Sequence, residues 1–343
     1  MKRYSYSFLL PGLVLATCAA IIVSSGMGYM QIPVLDIIQI LLGRISGNSE
    51  LLAELDKATV FVVMDVRLPR ILTAALVGGG LAVSGVVFQG ILLNPLADPY
   101  TLGVSSGAAF GASLALLAGL ILPGFLSIPL FAFAGGVATL FVVIHLSSFQ
   151  GQISANSLIL SGVIVGAILS AGISFIKYLA DEQVAVIVFW LMGSFAAKTW
   201  ADAGIVALAL GLGLLIIFYY GRDLNIMSLG GRSADALGVE TARTRKILLI
   251  TASMVTAICV AVSGIIGFIG LIVPHLMRYL VGPDNRKLLP VSLFGGAILL
   301  LMADTVTRAV LPSEVPIGVL TALIGGPFFC IIFRRKQRRG VNG

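Results

Sequence analysis

The sequence has few charged residues. Asp, Glu, Lys and Arg make up only 11% of its 343 residues, against about 25% in an average soluble domain. Hydrophobic residues make up 58% of the chain. Such a chain lacks the polar side chains that would cover a water-soluble surface, and several of its uncharged runs reach the about 20 residues that a helix needs to cross a bilayer. The composition therefore excludes a soluble globular protein and predicts an integral membrane protein.

Cysteine and histidine are scarce as well. Cys18, Cys259 and Cys330 each lie in an apolar run without a Cys-x-x-Cys pair, and His145 and His275 are far apart in the sequence. This spacing predicts neither a disulfide framework nor a metal site. The chain also contains no Gly-Lys dipeptide, and hence no GxxxxGK[ST] phosphate loop, and no HExxH sequence. We therefore predict that it does not hydrolyse ATP itself and that it binds no metal.

The distribution of positive charge decides the number of predicted spans. The net charge of +7 comes from Lys and Arg at the ends of apolar runs, which indicates membrane topology rather than nucleic-acid binding. The uncharged stretch 247–274 could form one tilted helix or two short helices that meet at SGIIGFIG (263–270). Two helices place most of the 22 Lys and Arg on the cytoplasmic side, whereas one helix would place most of them outside, against the positive-inside rule. We therefore predict two helices, with both termini in the cytoplasm.

The sequence thus predicts an all-α, polytopic membrane protein that forms a single transmembrane domain over residues 1–343. The apolar piece 184–197 is too short to cross alone and is predicted to be a helix packed at the outer face. The ten spans are predicted near 8–27, 69–92, 100–121, 128–146, 157–177, 203–221, 246–263, 266–280, 288–306 and 315–333.

Three arginines stand beside spans on the predicted outer side. Arg67 and Arg70 lie three residues apart in VRLPRIL (66–72), and Arg308 follows Asp304 by four residues in ADTVTR (303–308), a spacing that allows an ion pair along one helix face. These arginines could serve only to anchor helix ends, with their charged heads reaching into water. They could instead form one docking surface for an acidic partner. The residues by themselves leave both interpretations open.

Four long stretches of the chain resemble the permease family of type II ABC importers, which take up iron–siderophore complexes, haem and cobalamin. They occur in the family's order and together extend over nearly the whole chain: RLPRILTAALVGGGLAVSGVVFQGILLNPLADPYTLGVSSGA (67–108), LGGRSADALGV (229–239), GIIGFIGLIVPHLMRYLVGPDNRKLLPVSLFGGAILLLMADTVTR (264–308) and EVPIGVLTALIGGPFF (314–329).

The resemblance implies a homodimer of ten-span subunits in the cytoplasmic (inner) membrane of a prokaryote. It implies two cytoplasmic ATPase subunits, which bind ATP and Mg²⁺, and an extracytoplasmic substrate-binding protein. The chain itself would bind no cofactor, and its contacts would be with these proteins and with membrane lipid rather than with nucleic acid. The likeness also favours the docking interpretation, since Arg67, Arg70 and Arg308 match family positions whose guanidinium groups pair with glutamates on the two lobes of the binding protein.

The stretch SLGGRSADALGV (228–239) interrupts two hydrophobic runs and aligns with the cytoplasmic coupling helices that sit in a cleft of the family's ATPase. Small residues would let it seat closely, with Leu229, Leu237 and Val239 as apolar anchors, so bulky side chains at Ala234 or Gly238 are expected to disturb the contact. The predicted coupling residues are Leu229, Gly230, Gly231, Arg232, Ser233, Ala234, Asp235, Ala236, Leu237, Gly238 and Val239.

A short polar loop precedes the fifth predicted span. Ser154, Ala155 and Asn156 lie in ISANS (153–157), which aligns with the loop that closes the cytoplasmic end of the translocation path in the family. The resemblance therefore assigns these three residues to a cytoplasmic gate.

These features together predict the permease subunit of an ATP-driven importer that moves a metal chelate across the cytoplasmic membrane. Among the family's substrates, ferric siderophores are favoured over cobalamin and haem. The alternative is an ion-coupled secondary transporter, which needs ionisable residues inside the bundle. Asp98, Lys177 and Asp304 are the candidates for that role, and each falls near the end of a predicted span.

Overall fold

The computed structural model describes residues 6–48, 55–119, 127–149, 152–181, 184–309 and 314–341. Nearly all of them lie in helices, and a two-residue β-hairpin pairs β1 (Ser148–Phe149) with β2 (Gln152–Ile153). The helices are α1 (Tyr6–Gly26), α2 (Val34–Ser46), α3 (Lys57–Ile91), α4 (Val104–Leu117), α5 (Ser127–Ser147), α6 (Ala155–Leu179), α7 (Val184–Leu191), α8 (Trp200–Tyr219), α9 (Gly221–Met227), α10 (Gly231–Ala236), α11 (Thr241–Ser263), α12 (Ile269–Val281), α13 (Asn285–Ala309) and α14 (Ile317–Val341).

The helices fall on the predicted spans. Within the described residues, seven helices are long and apolar enough to cross a bilayer, namely α1, α3, α5, α6, α8, α11 and α13. Shorter apolar helical stretches form α4, α12 and the first part of α14. Each of the ten predicted segments therefore contains a helix, and the prediction of an all-α, polytopic membrane protein is confirmed.

Helix α3 is the centre of the bundle. Its residues from 68 to 91 are nearly all buried, against α8, α11, α12 and α13. The closest contacts require glycine, because a side chain would not fit. A Cβ on Gly78 would lie 2.3 Å from the carbonyl oxygen of Gly296 in α13, and a Cβ on Gly85 would lie 1.9 Å from the carbonyl oxygen of Gly270 in α12. Small residues are the usual means by which helix backbones approach each other in lipid. Contacts along the pair show that α3 and α13 run antiparallel.

The stretch 247–274 is divided, as predicted, into α11 and α12 by non-helical residues 264–268. This break lies opposite the middle of the buried part of α3. Just before the break α11 contacts Gly80 through Cys259, and just after it α12 contacts Gly85 through Gly270. Irregular main chain at such a depth needs hydrogen-bond partners from the protein, since lipid supplies none.

The hydroxyl of Tyr100 satisfies the main chain at this break. It donates to the carbonyl oxygen of Ile266 (2.7 Å) and accepts from the N–H of the same residue (3.3 Å). Tyr100 itself lies in a 3-10 turn, Pro99–Leu102, in the loop between α3 and α4. Phe268 then starts α12 with a φ of 69°, in the left-handed region that bulky residues rarely adopt. Two irregular segments from different parts of the chain therefore meet inside the bundle.

Two elements differ from the sequence prediction. Helix α2 was not predicted, because its 13 residues are too few to cross a bilayer and mix apolar with polar side chains; Ile37 and Ile40 bury one face against α1 and the start of α3. In the piece 184–197, only Val184–Leu191 is helical. The rest runs irregularly past the break, where the N–H of Ser194 donates to the carbonyl oxygen of Ser263 (2.8 Å).

Candidate functional site

The predicted docking and coupling residues lie at opposite ends of the bundle. Arg67 and Arg70 stand at the start of the buried part of α3, and Arg308 lies in the last turn of the antiparallel α13. We call this the arginine end. Residues 228–239 follow α9, which packs beside the other end of α3; we call this the segment end. The 24 residues of α3 from Leu68 to Ile91 separate the two ends by about 36 Å at 1.5 Å per residue.

At the arginine end, Arg67 and Arg308 hold the end of α1 and the loop after it. The two guanidinium groups flank Gly28, where a Cβ would lie 2.9 Å from Nη2 of Arg67 and 3.0 Å from Nη1 of Arg308. Both donate to main-chain carbonyl groups, some of which belong to the last turn of α1 and so lack helical partners. Arg67 donates to the carbonyls of Ser25 (2.7 Å) and Met30, and Arg308 to those of Ser24 (2.8 Å) and Met27.

Arg70 is held by carboxylates instead. Its Nε lies 3.2 Å from Oδ1 and 3.1 Å from Oδ2 of Asp304, and its Nη2 lies 2.9 Å from Oδ1. Its Nη1 donates to Oε1 of Glu314 at 3.0 Å. The side chain of Asp304 is only 1% exposed, whereas that of Glu314 is 52% exposed. One guanidinium group therefore joins a buried carboxylate to a surface carboxylate.

The structure brings the three arginines together, as the docking interpretation requires, and it also gives each of them partners within the chain. Little of them is exposed: 6% of Arg67, and 12% and 9% of the side chains of Arg70 and Arg308. The ion pair expected between Asp304 and Arg308 is a 4.0 Å contact, and Arg70 is the closer partner. Docking remains a prediction.

At the segment end, glycines shape the predicted coupling stretch. Helix α10 lies between Gly230, with φ 100°, and Gly238, with φ 84°, both in the region that favours glycine. Leu229 and Leu237 are 64% and 61% exposed, so two of the three expected apolar anchors face outward. Val239 does not; it packs inward with Met227 and Ala234.

This geometry changes which substitutions can probe the segment. Ala234 is fully buried, so a tryptophan there would disrupt the segment itself rather than only an external contact. Any side chain at Gly238 would be strained by its φ of 84°. The exposed pair Leu229 and Leu237 provides the cleaner probe. A cavity of about 800 Å³ opens between α10 and the start of α11, lined by charged side chains that include Arg232, Asp235, Glu240, Arg245 and Lys246.

An asparagine that the sequence reasoning missed fixes the segment end to the bundle. Asn225, in α9, donates from Nδ2 to Oδ1 of Asp284 (2.7 Å), and its Oδ1 accepts from the N–H of Asn285 (2.8 Å). Asp284 and Asn285 lie where the turn after α12 leads into α13. Leu224, beside Asn225, packs against Gly90 of α3, where a Cβ would lie 2.7 Å from its Cδ1. Movement of α9 would therefore be transmitted to α3, α12 and α13.

The predicted gate residues lie at the start of α6, directly after the β-hairpin. Ser154 is the N-cap: its Oγ accepts from the N–H of Ser157 at 3.0 Å. Ala155 and Asn156 belong to the first turn, with Asn156 exposed. The cap explains Ser154 by local structure, and the gate stays a prediction.

The sequence matches the FecCD transport family over residues 15–335, which is most of the chain. A relative, the molybdate import system permease protein MolB of Haemophilus influenzae, is 41% identical over 345 residues and covers 100% of both chains. The cobalamin import system permease protein BtuC of Halobacterium salinarum is 42% identical over 282 residues, covering 82% of this chain and 75% of its own.

The fold resembles that of a solved permease. The similarity to an inward-facing conformation of a metal-chelate type ABC transporter has a TM-score of 0.83 at 37% sequence identity, and it covers 95% of this chain and 98% of the other. The match in sequence and the match in fold therefore point to the same kind of protein.

Proposed function

The chain belongs to the FecCD transport family, and on that premise we propose how it works in transport. It is a multi-span permease of the cytoplasmic membrane of prokaryotes, in an ABC importer of the metal-chelate, cobalamin or haem type. In our proposal two copies form the membrane path, two cytoplasmic ATPase subunits drive it, and an extracytoplasmic binding protein delivers the solute. The ATP and Mg²⁺ belong to the ATPase, and this chain carries no cofactor.

The observation that carries the proposal is the placement of two different surfaces at the two ends of the same helices. The arginine end holds cations beside an exposed carboxylate, Glu314, and the segment end presents Leu229 and Leu237 to solvent. Helices α3 and α13 connect the two ends and pack backbone to backbone at Gly78 and Gly296. A protein bound at either end would therefore act on the same pair of helices.

The segment end would receive the ATPase. Two exposed leucines that flank a short helix can insert into a cleft, where burying a leucine contributes about 1.5–3 kcal/mol. The glycines that bound α10 leave open space around it, since nothing lies within 4 Å of a Cβ built on Gly230, Gly231 or Gly238. Asn225 would transmit the movement of the ATPase to the turn between α12 and α13.

The arginine end would receive the binding protein, on the extracytoplasmic side. Arg67 and Arg308 would shape this surface by holding the loop after α1, and Arg70 would meet the partner most directly. In the assembled dimer, Ser154, Ala155 and Asn156 would close the cytoplasmic end of the path.

The substrate in our proposal is a metal-containing solute. The relatives described above are named for molybdate and for cobalamin at nearly equal identities, 41% and 42%, so identity does not rank the solutes. A ferric siderophore remains a candidate, and molybdate joins it because the molybdate permease matches this chain from end to end. Competition of unlabelled molybdate, ferric siderophore, haem and cobalamin against uptake of each labelled solute would rank them.

Reconstitution tests the energy source. Purified permease in proteoliposomes, with its ATPase and binding protein, is expected to accumulate solute only with ATP, and the permease alone is expected to show no ATPase activity. Uptake driven by a proton gradient without the ATPase would establish the secondary transporter instead. Two of the acidic side chains that such coupling could use already have partners within the chain. Oδ1 of Asp98 accepts a hydrogen bond from the N–H of Tyr100 (2.7 Å), and Asp304 forms an ion pair with Arg70.

A further inference from the structure

A small cavity lies beside Arg70 at the arginine end. Its volume is about 160 Å³, and its lining includes Arg70, Asp304, Thr307, Glu314, Ser194 and Phe195. One water needs about 10–15 Å³ on the same measure, so the cavity has room for a carboxylate group with its water. The hydroxyl of Thr307 already donates to the carbonyl oxygen of Asp304 (2.8 Å), so the guanidinium group of Arg70 is the part of this lining that suits an anionic oxygen ligand.

The two carboxylates on Arg70 differ in how easily they can leave. Asp304 is buried and contacts two nitrogens of Arg70, so removing it would strand a buried charge. Glu314 accepts its hydrogen bond from a single nitrogen of Arg70, Nη1, and half of its side chain is in solvent. An exposed ion pair of this kind contributes little free energy, because water replaces the partner readily. Glu314 can therefore swing away while Asp304 keeps Arg70 in position.

Arg67 and Arg308 offer no comparable exchange. Their guanidinium groups donate to main-chain carbonyls between residues 24 and 30, which cannot leave without moving the main chain at the end of α1 and in the loop after it. Arg308 also keeps its Nε within 4.0 Å of the buried Asp304. Within the described residues, Arg70 is the one of the three arginines that has a surface side chain as a partner.

We propose that Glu314 is an exchangeable carboxylate, and that the cavity beside Arg70 receives a carboxylate side chain of the extracytoplasmic partner in its place. The exchange keeps one carboxylate on Nη1 of Arg70 throughout, so no charge is left unpaired. Glu314 then acts as a built-in competitor, which keeps the site occupied when no partner is docked. The identity of the partner rests on the proposed function, whereas the affinity of the cavity for a carboxylate does not.

The first experiment needs no partner. The Glu314→Ala variant removes the carboxylate that contacts Nη1 of Arg70, and sodium acetate is added as a small carboxylate that can bind in its place. Acetate at 100 mM is expected to raise the thermal unfolding midpoint of this variant above its value in 100 mM sodium chloride, while the wild type shows no difference between the two salts. Glu240→Ala is the matched control, because Glu240 is an exposed carboxylate 3.6 Å from Arg243 at the segment end. Equal midpoints of Glu314→Ala in both salts would overturn the proposal.

The second experiment uses the extracytoplasmic binding protein of the proposed transporter. Glu314→Gln removes the competitor and is expected to tighten docking by up to about fivefold, the range of one exposed ion pair. The gain should vanish in the Arg70→Met/Asp304→Leu background, where the receiving group is absent. Docking that is unchanged or weakened by Glu314→Gln overturns the role of Glu314. If the wild type does not bind this protein at all, the proposed function fails. The acetate experiment would still show whether the cavity binds a carboxylate.

Discussion

Arg70 and Asp304 join the start of the buried part of α3 to the end of α13 through an ion pair in which both carboxylate oxygens contact the guanidinium group, at 2.9 to 3.2 Å. The residues are 234 positions apart in sequence. At the same level, Ser24 of α1 contacts Thr305 of α13, with their hydroxyl oxygens 2.7 Å apart. The arginine end is therefore a junction of three helices, and its stability and its binding can be tested separately.

Removal of the buried acid tests the junction. Asp304→Asn leaves the charge of Arg70 without its buried partner, which typically costs about 3–5 kcal/mol, so the thermal midpoint in detergent should fall clearly. Glu314→Gln removes an exposed partner of the same arginine and should cost less than about 1 kcal/mol. Equal midpoints for the two variants would contradict the different burial of the two carboxylates.

Removal of the whole pair tests docking without loss of the fold. The Arg70→Met/Asp304→Leu variant replaces a buried ion pair by apolar side chains, a change that is often neutral for stability. Its affinity for the binding protein should nevertheless fall about tenfold, since a charged contact is lost. Binding kinetics on nanodiscs at low and moderate salt measure the effect. Unchanged affinity at both salts would return Arg70 to a purely structural role.

Loss of Arg67 should lower stability and leave docking nearly unchanged, the reverse of the effect expected for the double variant. Arg67→Ala leaves the carbonyl of Ser25 without its buried donor, at a cost of about 1–3 kcal/mol, so the thermal midpoint should fall. The folded fraction should still bind the partner within a factor of about two of the wild type, because Arg67 has little exposed surface. A large loss of docking without a loss of stability would show that Arg67 contacts the partner directly.

At the segment end, the exposed leucines carry the test of ATPase coupling. Leu229→Asp and Leu237→Asp should each reduce co-purification of the ATPase by about tenfold or more, because a buried apolar contact is replaced by a desolvated charge. Arg232→Ala, on an exposed position of the same segment, should have little effect. Size-exclusion profiles control for folding. Full ATPase recovery in both Asp variants would mean that the ATPase binds elsewhere.

Asn225 tests the transmission of movement rather than binding. Asn225→Leu has a similar size but loses both hydrogen bonds to the turn between α12 and α13. We expect the ATPase to bind normally while solute uptake per ATP falls several-fold. Arg222→Ala, at an exposed position of the same helix, serves as the control. Normal uptake by Asn225→Leu would exclude this contact as a route of coupling.

The spans could be read from the sequence because their signal is local. A run of about 20 apolar residues is sufficient evidence of a spanning helix, and the break in 247–274 was visible from charge and glycine. Helix α2 carries no such signal, since its apolar residues alternate with Asp36, Gln39 and Arg44 in a piece that is too short to span. Amphipathicity over residues 34–46 was the signal that could have identified it.

The partners of the site residues depend on long-range contacts and could not be predicted. The sequence predicted an ion pair between Asp304 and Arg308, four residues apart, whereas the closer partner, Arg70, lies 234 positions away. The carbonyls that Arg67 contacts carry no side-chain signal. Asn225 lies in a short polar stretch of sequence with no distinctive motif, and its role depends on the packing of α9 beside α13.

The hydrogen bonds between Tyr100 and Ile266 have a consequence for membrane insertion. Tyr100 is synthesised 166 residues before Ile266, and chains emerge from the ribosome with the N-terminal part first. The polar main chain between α11 and α12 therefore enters a bilayer where its hydrogen-bond partner is already present. Without that partner, each unsatisfied group in hydrocarbon would cost several kcal/mol. The order of these two segments along the gene is thus part of how the broken helix enters the membrane.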